Sequence, residues 1–485
     1  MTRFASRLRA ALAVLVVTIV AWGALAFGAV YPWAYRPLAW TCAAAGALSL
    51  AVTSRGRPPL AALALGLTAI GAAVALQLAP VPASLVQALS PNVVVFSSAP
   101  GAESGSRALS IAPPKTALAL ALFAALALFC CGTARLVSSL GAARVARPIV
   151  AFGVVLALVG IVQDALTAGQ VHPLVYGFWK PKYETRPFGP FVNPNHFAGW
   201  MLMALPLALG GVAAALEAAI ASVSGQGRDR RALLGSPQTG MLLLLSGSAL
   251  VMALSLLLTR SRAGIVAFAA GNLAAAGLLV RRQASVLTRA AVIAGLTMLM
   301  VGSLAWAGLD TAVSKFVQAD RGRASAVGRL GAWRDTLRII RDFPLVGTGL
   351  NTYGTAMLLY QSDNRAVSFQ EAHNDYLQLA AEGGLLVGVP ALATVALFVR
   401  TVRQRFREAP KVGSTYWLRV GALLGIVSIA LQSLVEFSLQ MPGNAALFAV
   451  LAAIAVHQSP NLSPAARSRS RAPFPVEQGH GASPS

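Results

Sequence analysis

Residues 240–282 read GMLLLLSGSALVMALSLLLTRSRAGIVAFAAGNLAAAGLLVRR. Two apolar runs, 240–258 and 263–280, flank Thr259-Arg260-Ser261-Arg262 and end on Arg281 and Arg282. A helix rises 1.5 Å per residue, so about 20 apolar residues cross roughly 30 Å of hydrocarbon. Inside a bilayer no water satisfies backbone amides, so a spanning segment must close its hydrogen bonds within itself. The stretch therefore predicts two consecutive membrane helices. The charges between them are unusual enough to need an explanation of their own.

Runs of the same kind recur outward in both directions, near 10–30, 37–52, 60–79, 115–133, 148–168, 197–222, 290–308, 376–399, 418–436 and 443–457. The chain of 485 residues is 56% hydrophobic and 11% charged, against about 25% charged in a soluble domain. These figures predict an all-α polytopic membrane protein of about twelve transmembrane helices. The first run follows a basic N-terminus and contains Ala24-Leu25-Ala26, which imitates a cleavage site, but its length suits an uncleaved helix. Every second connection is basic: Arg55 and Arg57; Arg135, Arg144 and Arg147; Arg228, Arg230 and Arg231; Arg281, Arg282 and Arg289; Arg400, Arg403, Arg405, Arg407 and Lys411. The positive-inside rule then puts those loops and both termini in the cytoplasm. The same dispersal accounts for the net charge of +23, so nucleic acid is not an expected partner. Cys42, Cys130 and Cys131 lie within apolar runs and read as small core residues.

Three outside connections exceed a bare turn: 80–114, 169–196 and 309–375. The first is rich in Ser, Pro and Ala and reads as a spacer or a partner surface. The last breaks the charge rule, carrying Lys315, Arg321, Arg323, Arg329, Arg334, Arg338, Arg341 and Arg365 beside Asp310, Asp320, Asp335, Asp342, Asp363 and Glu371. Ala326, Leu330, Trp333, Leu337 and Ile340 recur at helical spacing as an apolar stripe, and Arg334, Arg338 and Arg341 form a neighbouring one. An amphipathic helix of this kind is expected along the membrane interface or, equally on periodicity alone, as a cap on the bundle, with Arg338 paired to Asp342 one turn on and Pro344 ending the helix.

Charge so near hydrocarbon is costly, and it marks function by default. Arg260 and Arg262 stand at such an edge. So does Phe188-Gly189-Pro190-Phe191-Val192-Asn193-Pro194-Asn195-His196-Phe197, whose Asn and Pro residues suit a rigid turn. His373-Asn374-Asp375-Tyr376 stands where the basic loop re-enters the membrane, followed by Glu382, Gly383 and Gly384. Histidine can exchange a proton near neutral pH, which arginine cannot. A histidine among arginines suits group transfer from a diphosphate: arginines bear the charge on the leaving group, and the imidazole assists an incoming hydroxyl. No metal or cofactor is expected, since His196, Glu371 and Asp375 offer no compelling ligand spacing.

On these residues the chain resembles the O-antigen ligase and polymerase superfamily, which includes the bacterial O-linked oligosaccharyltransferases. The resemblance rests on Gly189 to His196, Ser261-Arg262-Ala263-Gly264, Gly328-Arg329 through Trp333 with Pro344 to Gly349, and His373-Asn374, in family order. The second glycine of the family's Gly-x-x-Gly falls one place late, as Gly388 after Gly384, and is expected to serve helix packing. The resemblance implies a GT-C-like scaffold in the bacterial inner membrane, with a large periplasmic loop between spans nine and ten. It implies a donor glycan on undecaprenyl diphosphate and, as acceptor, a glycan chain, lipid A core or a protein. Arg262 and Arg329 are implied to contact the diphosphate and His373 to serve the acceptor; Arg260, Asn193, Asn195, His196, Arg334 and Asn374 are expected around them. The chain divides accordingly into N-terminal helices (1–187), a ligase-like region (188–399), C-terminal helices (400–457) and a disordered cytoplasmic tail (458–485). A secondary transporter or flippase would instead need ionisable residues near midspan, whereas Asp164 and Glu217 lie toward span ends.

Overall fold

The computed structural model describes residues 3–53, 58–96, 106–170, 173–181, 186–224, 237–280, 319–362, 368–408 and 413–458. Its helices are α1 (Arg3–Leu25), α2 (Pro32–Val52), α3 (Pro58–Leu78), α4 (Ala83–Leu89), α5 (Pro113–Leu140), α6 (Ala143–Leu166) and α7 (Pro194–Ser224). They continue as α8 (Pro237–Leu258), α9 (Arg262–Val280), α10 (Ala319–Asp342), α11 (Tyr353–Tyr360), α12 (Asp375–Glu408), α13 (Ser414–Gln432) and α14 (Pro442–Val456). Each expected span coincides with one of these except 290–308, which lies outside the described residues. So do the basic residues at 55–57, 228–231, 281–289 and 411, loop residues 309–318 and 363–367, and the tail after 458. Among the described residues, eight helices are long and apolar enough to cross a membrane. The chain is an all-α polytopic membrane protein.

α7 is apolar all round, and residues 196–208 are buried without a break, so it forms the centre of the bundle. α13 lies close along it because Gly421 and Gly425 leave room: a Cβ on Gly421 would strike the Pro206 carbonyl, and one on Gly425 would sit 2.8 Å from the Met203 oxygen. Small residues at such crossings let helix backbones approach within van der Waals contact, the main source of packing energy in lipid.

The bundle has two chemically distinct ends. Arg135, Arg144, Arg147, Arg400, Arg403, Arg405 and Arg407 sit at one, with the end of α5, the start of α6 and the end of α12. The other holds the end of α1, the starts of α7, α9, α12 and α14 and the end of α13.

Two sequence expectations are corrected here. The described part of the connection, 80–96 and 106–114, is a brace, not a spacer. Val81–Pro82 pairs antiparallel with Ser106–Arg107, and Val86, Val93 and Leu109 share a core with Ile339, Phe343 and Tyr353. The Asn92 amide donates to the Asp342 carbonyl at 3.1 Å, and the Ile111 N–H to the Thr348 carbonyl at 2.9 Å. In α10 the buried face is Ala332, Asp335, Thr336 and Ile339, while Leu330 (61% exposed) and Leu337 (56%) point outward beside Arg334, Arg338 and Arg341. Of the expected stripe, Leu330 and Leu337 thus face outward while Trp333 and Ile340 are half-buried, Ile340 against the core shared with the brace. Tyr353 and Ser362 cover the small, mixed face through hydrogen bonds to Thr336 and Asp335. Arg338 reaches Asp335 at 3.4 Å rather than Asp342, which accepts the Tyr360 hydroxyl at 2.6 Å.

Candidate functional site

The site is organised by a residue that no motif announced. Glu436 follows α13 at the end opposite to Arg144, Arg147 and Arg400 to Arg407 and is 1% exposed. A carboxylate in such a place is costly unless hydrogen-bonded and paired. Its Oε1 accepts the Arg329 guanidinium (Nη2, 2.6 Å) and the Asn195 amide (Nδ2, 2.7 Å). Its Oε2 lies 3.7 Å from His373 Nδ1. Three segments far apart in sequence, and three of the expected site residues, therefore converge on one buried carboxylate. The signal was present in the sequence: Glu436 is the sole acidic residue between 414 and 457, at the mouth of an apolar span.

Local structure explains each position. Asn193 caps α7, its Oδ1 accepting the Asn195 N–H at 2.9 Å, with Pro194 opening the helix. The Asn195 carbonyl accepts from Gln432 and Ser438, both at 3.1 Å, which ties the first turn of α7 to the end of α13. Asn374 caps α12 in the same manner, accepting the Tyr376 and Leu377 N–H groups at 3.0 Å. The side-chain oxygens of Asn193 and Asn374 are thus spent on helix starts. His196 is buried, its ring edge-on to Phe437 with centroids 4.8 Å apart; His373 meets the same phenyl ring at 4.8 Å.

His373 itself sits at φ +51°, a left-handed conformation rare outside glycine but several-fold enriched in His, Asn and Asp. Its neighbour Ala372 is clamped on both backbone groups. The Ala372 N–H donates to Gln378 Oε1 and its carbonyl accepts Trp333 Nε1, each at 2.9 Å. Trp333 and Arg329 lie one turn apart on α10, so one helix fixes both the imidazole's backbone and the guanidinium beside Glu436. Gln378 also donates to Glu371 at 2.6 Å. Burial pushes the Glu371 carboxyl up to about 8, and the nearby Glu382 adds to the shift while the Gln378 hydrogen bond opposes it.

The arginine turn stands at the same end. Ser261 caps α9, its Oγ accepting the Gly264 N–H at 3.2 Å. Gly264 packs on Ala198 of α7, where a Cβ would come within 2.9 Å of the alanine methyl. This places the head of α9, with Arg262 exposed in its first turn, beside the α7 turn that binds Glu436. Arg260 is exposed at φ +57°. Arg334 is exposed on the outer face of α10, five residues beyond Arg329.

α12 bends at Gly384, with φ +52° and ψ −156°, a region open essentially to glycine alone. The bend frees Leu385 and Leu386 N–H groups to donate to Pro344 (2.9 Å) and Leu345 (2.8 Å) carbonyls after α10. Glu382 accepts the Asn351 and Tyr353 N–H groups at 2.8 and 2.9 Å. Among the described residues nothing lies within 4 Å of a Cβ at Gly388, so none of them provides the packing expected for it. Among the described residues no cluster of His, Cys, Asp and Glu could hold a metal ion.

Residues 247–392 match the O-antigen ligase family, a segment carrying Arg262, Arg329 and His373; Asn195 and Glu436 lie outside it. No curated protein matches the chain. Motifs, architecture and family match agree: this multi-pass membrane protein carries an O-antigen ligase-like segment at residues 247–392, which supports a place in membrane glycan biosynthesis of the O-antigen ligase and polymerase type.

Proposed function

We propose that the chain transfers or polymerises a glycan from an undecaprenyl-diphosphate donor onto an acceptor hydroxyl at the periplasmic face of the bacterial inner membrane. The observation that carries this reading is the convergence of Arg329, Asn195 and His373 on Glu436. In the reaction the bond between the anomeric carbon and the diphosphate oxygen breaks, and one to the acceptor oxygen forms. Negative charge grows on the diphosphate, where Arg262 and Arg329 offer planar, permanently charged forks. The acceptor proton passes to His373. Its Nδ1 faces Glu436, so Nε2 is the nitrogen turned to the hydroxyl, and the carboxylate steadies the imidazolium that forms. Glu436 also holds the Arg329 guanidinium by one nitrogen and leaves further N–H groups to the phosphates.

The acceptor is a glycan chain, lipid A core or a protein. Asp164 pairs with Arg186 and Glu217 accepts the Gly413 N–H and Trp417 Nε1, so neither resembles a midspan transport residue. The test is the lipid extract of cells carrying Arg262→Ala at matched protein level. Glycan still joined to lipid diphosphate should accumulate. Unchanged donor levels together with normal surface glycan would contradict the proposal.

A further inference from the structure

A second surface stands beside the site. Phe27, Gly28 and Ala29, between α1 and α2, are all left-handed, with φ of +60°, +72° and +57°. Phe27 is the hub of an aromatic cluster, its ring centroid 5.8 Å from Tyr31 and Trp33, 5.6 Å from Tyr176 and 5.1 Å from Trp179. Tyr176 and Trp179 come from a five-residue hairpin in which Val175 and Trp179 exchange backbone hydrogen bonds at 2.9 and 3.0 Å. Its central residues, Tyr176 and Gly177, have φ of +55° and +78°. That turn ordinarily selects Asn-Gly, so a tyrosine is held there against backbone preference, which points to a use for its side chain. Tyr176 and Phe178 stack with planes 17° apart, and Phe178 is 72% exposed.

Two features separate this surface from an ordinary interfacial belt, where aromatic polar atoms reach for headgroups. The polar handles here turn inward: the Tyr176 hydroxyl donates to the Leu25 carbonyl (2.7 Å), Trp22 Nε1 to the Ala34 carbonyl (3.0 Å), and Trp179 Nε1 to the Tyr31 oxygen (3.1 Å). With these handles held inside the cluster, Phe178 (72% exposed), Trp33 (47%) and Tyr176 (38%) give it an aromatic outer surface. The cluster is also continuous with the site, since Gly28 lies against the ring of Phe191, four residues before Asn195. A rigid apolar platform next to a polar, charged site suits a ligand with flat C–H faces and hydroxyl edges.

We infer that Tyr176, Phe178 and Trp33 form a platform on which the saccharide chain of a substrate stacks as it enters the site. The inference rests on the transferase reading, and its test does not depend on turnover. The protein in nanodiscs is titrated with the glycan released from the cell's own lipid-linked donor by mild acid, following tryptophan fluorescence. Wild type should show a saturable change, and Tyr176→Ser/Phe178→Ser should weaken it at least tenfold with unaltered melting. A Trp33→Phe variant, which keeps a ring, should retain binding.

Transfer assays then identify which chain stacks. If it is the donor's, the double variant raises KM for long-glycan donor and spares a single-sugar donor; if it is the acceptor's, KM for a glycan acceptor rises instead. Glycan binding without any transfer would overturn the transferase reading and leave the platform standing. Equal titrations for wild type and double variant would overturn the platform. So would tryptophan quenching by brominated lipids that falls in the double variant, since the rings would then be a membrane anchor.

Discussion

At the scale of single residues, the two arginines implied to hold diphosphate are not equivalent. Arg262 is exposed at a helix head, whereas Arg329 neutralises a buried carboxylate. Arg262→Lys keeps the charge but loses the fork, so transfer should fall by about tenfold or more with melting unchanged. Arg329→Ala strands Glu436 and should cost about 3 kcal/mol of stability as well as activity, read as a lowered melting temperature in detergent. Arg338, exposed and loosely paired, should tolerate substitution.

Glu371 gives a pH dependence with a defined sign. Its folded value near 8 exceeds the ordinary 4.5, so between those limits the folded state holds a proton that the unfolded chain releases. Stability is then complete below about pH 4.5 and declines toward pH 8, by at most about 1.4 kcal/mol per unit. Melting of Glu371→Gln across pH 5–8 should be flatter than wild type; parallel curves would remove Glu371 as the cause. The motif residues were legible because arginine, histidine and asparagine are conspicuous at membrane edges. Glu436 was not, because a single acid at a span terminus looks like a boundary until its partners are brought to it.

At the scale of elements, hydrophobic period located the spans but did not show which residues of α10 another segment covers. Spacing shows which residues share a side, not which side another segment covers; here Tyr353 and Ser362 cover Thr336 and Asp335, and Val86, Val93 and Leu109 join Ile339. The glycine pair in α12 shows the same limit. Gly384 is required by its backbone and by Gly347 N, 2.6 Å from where a Cβ would lie, while Gly388 meets none of the described residues. Gly384→Ala should cost roughly 1–3 kcal/mol in backbone strain plus the displaced contact, and it should impair transfer by loosening α10 and with it Arg329. Gly388→Ala should leave both melting and transfer as they are. Equal effects of the two substitutions would refute this account of the bend.

At the scale of the whole molecule, alternation of basic loops predicts which end faces the cytoplasm, and the bundle puts Glu436, His373 and Arg262 at the end opposite to Arg144, Arg147 and Arg400 to Arg407. Reporter fusions after Gln361 and Arg407 should give opposite signals; like signals would invert or break the topology. The matched segment holds two arginines and the histidine, yet the carboxylate and the amide that organise them come from α13 and α7 outside it. The site is thus a property of the bundle and not of the loop alone.

The most direct test of that claim is turnover by purified protein given lipid-linked glycan and acceptor, with chelator present, for wild type and His373→Asn. Asparagine tolerates the left-handed backbone but cannot serve as the base. The account predicts wild-type turnover unaffected by chelator, and an intact, normally melting variant slowed by about 10²–10⁴. Normal turnover by His373→Asn, or wild-type activity abolished by chelator, would contradict it.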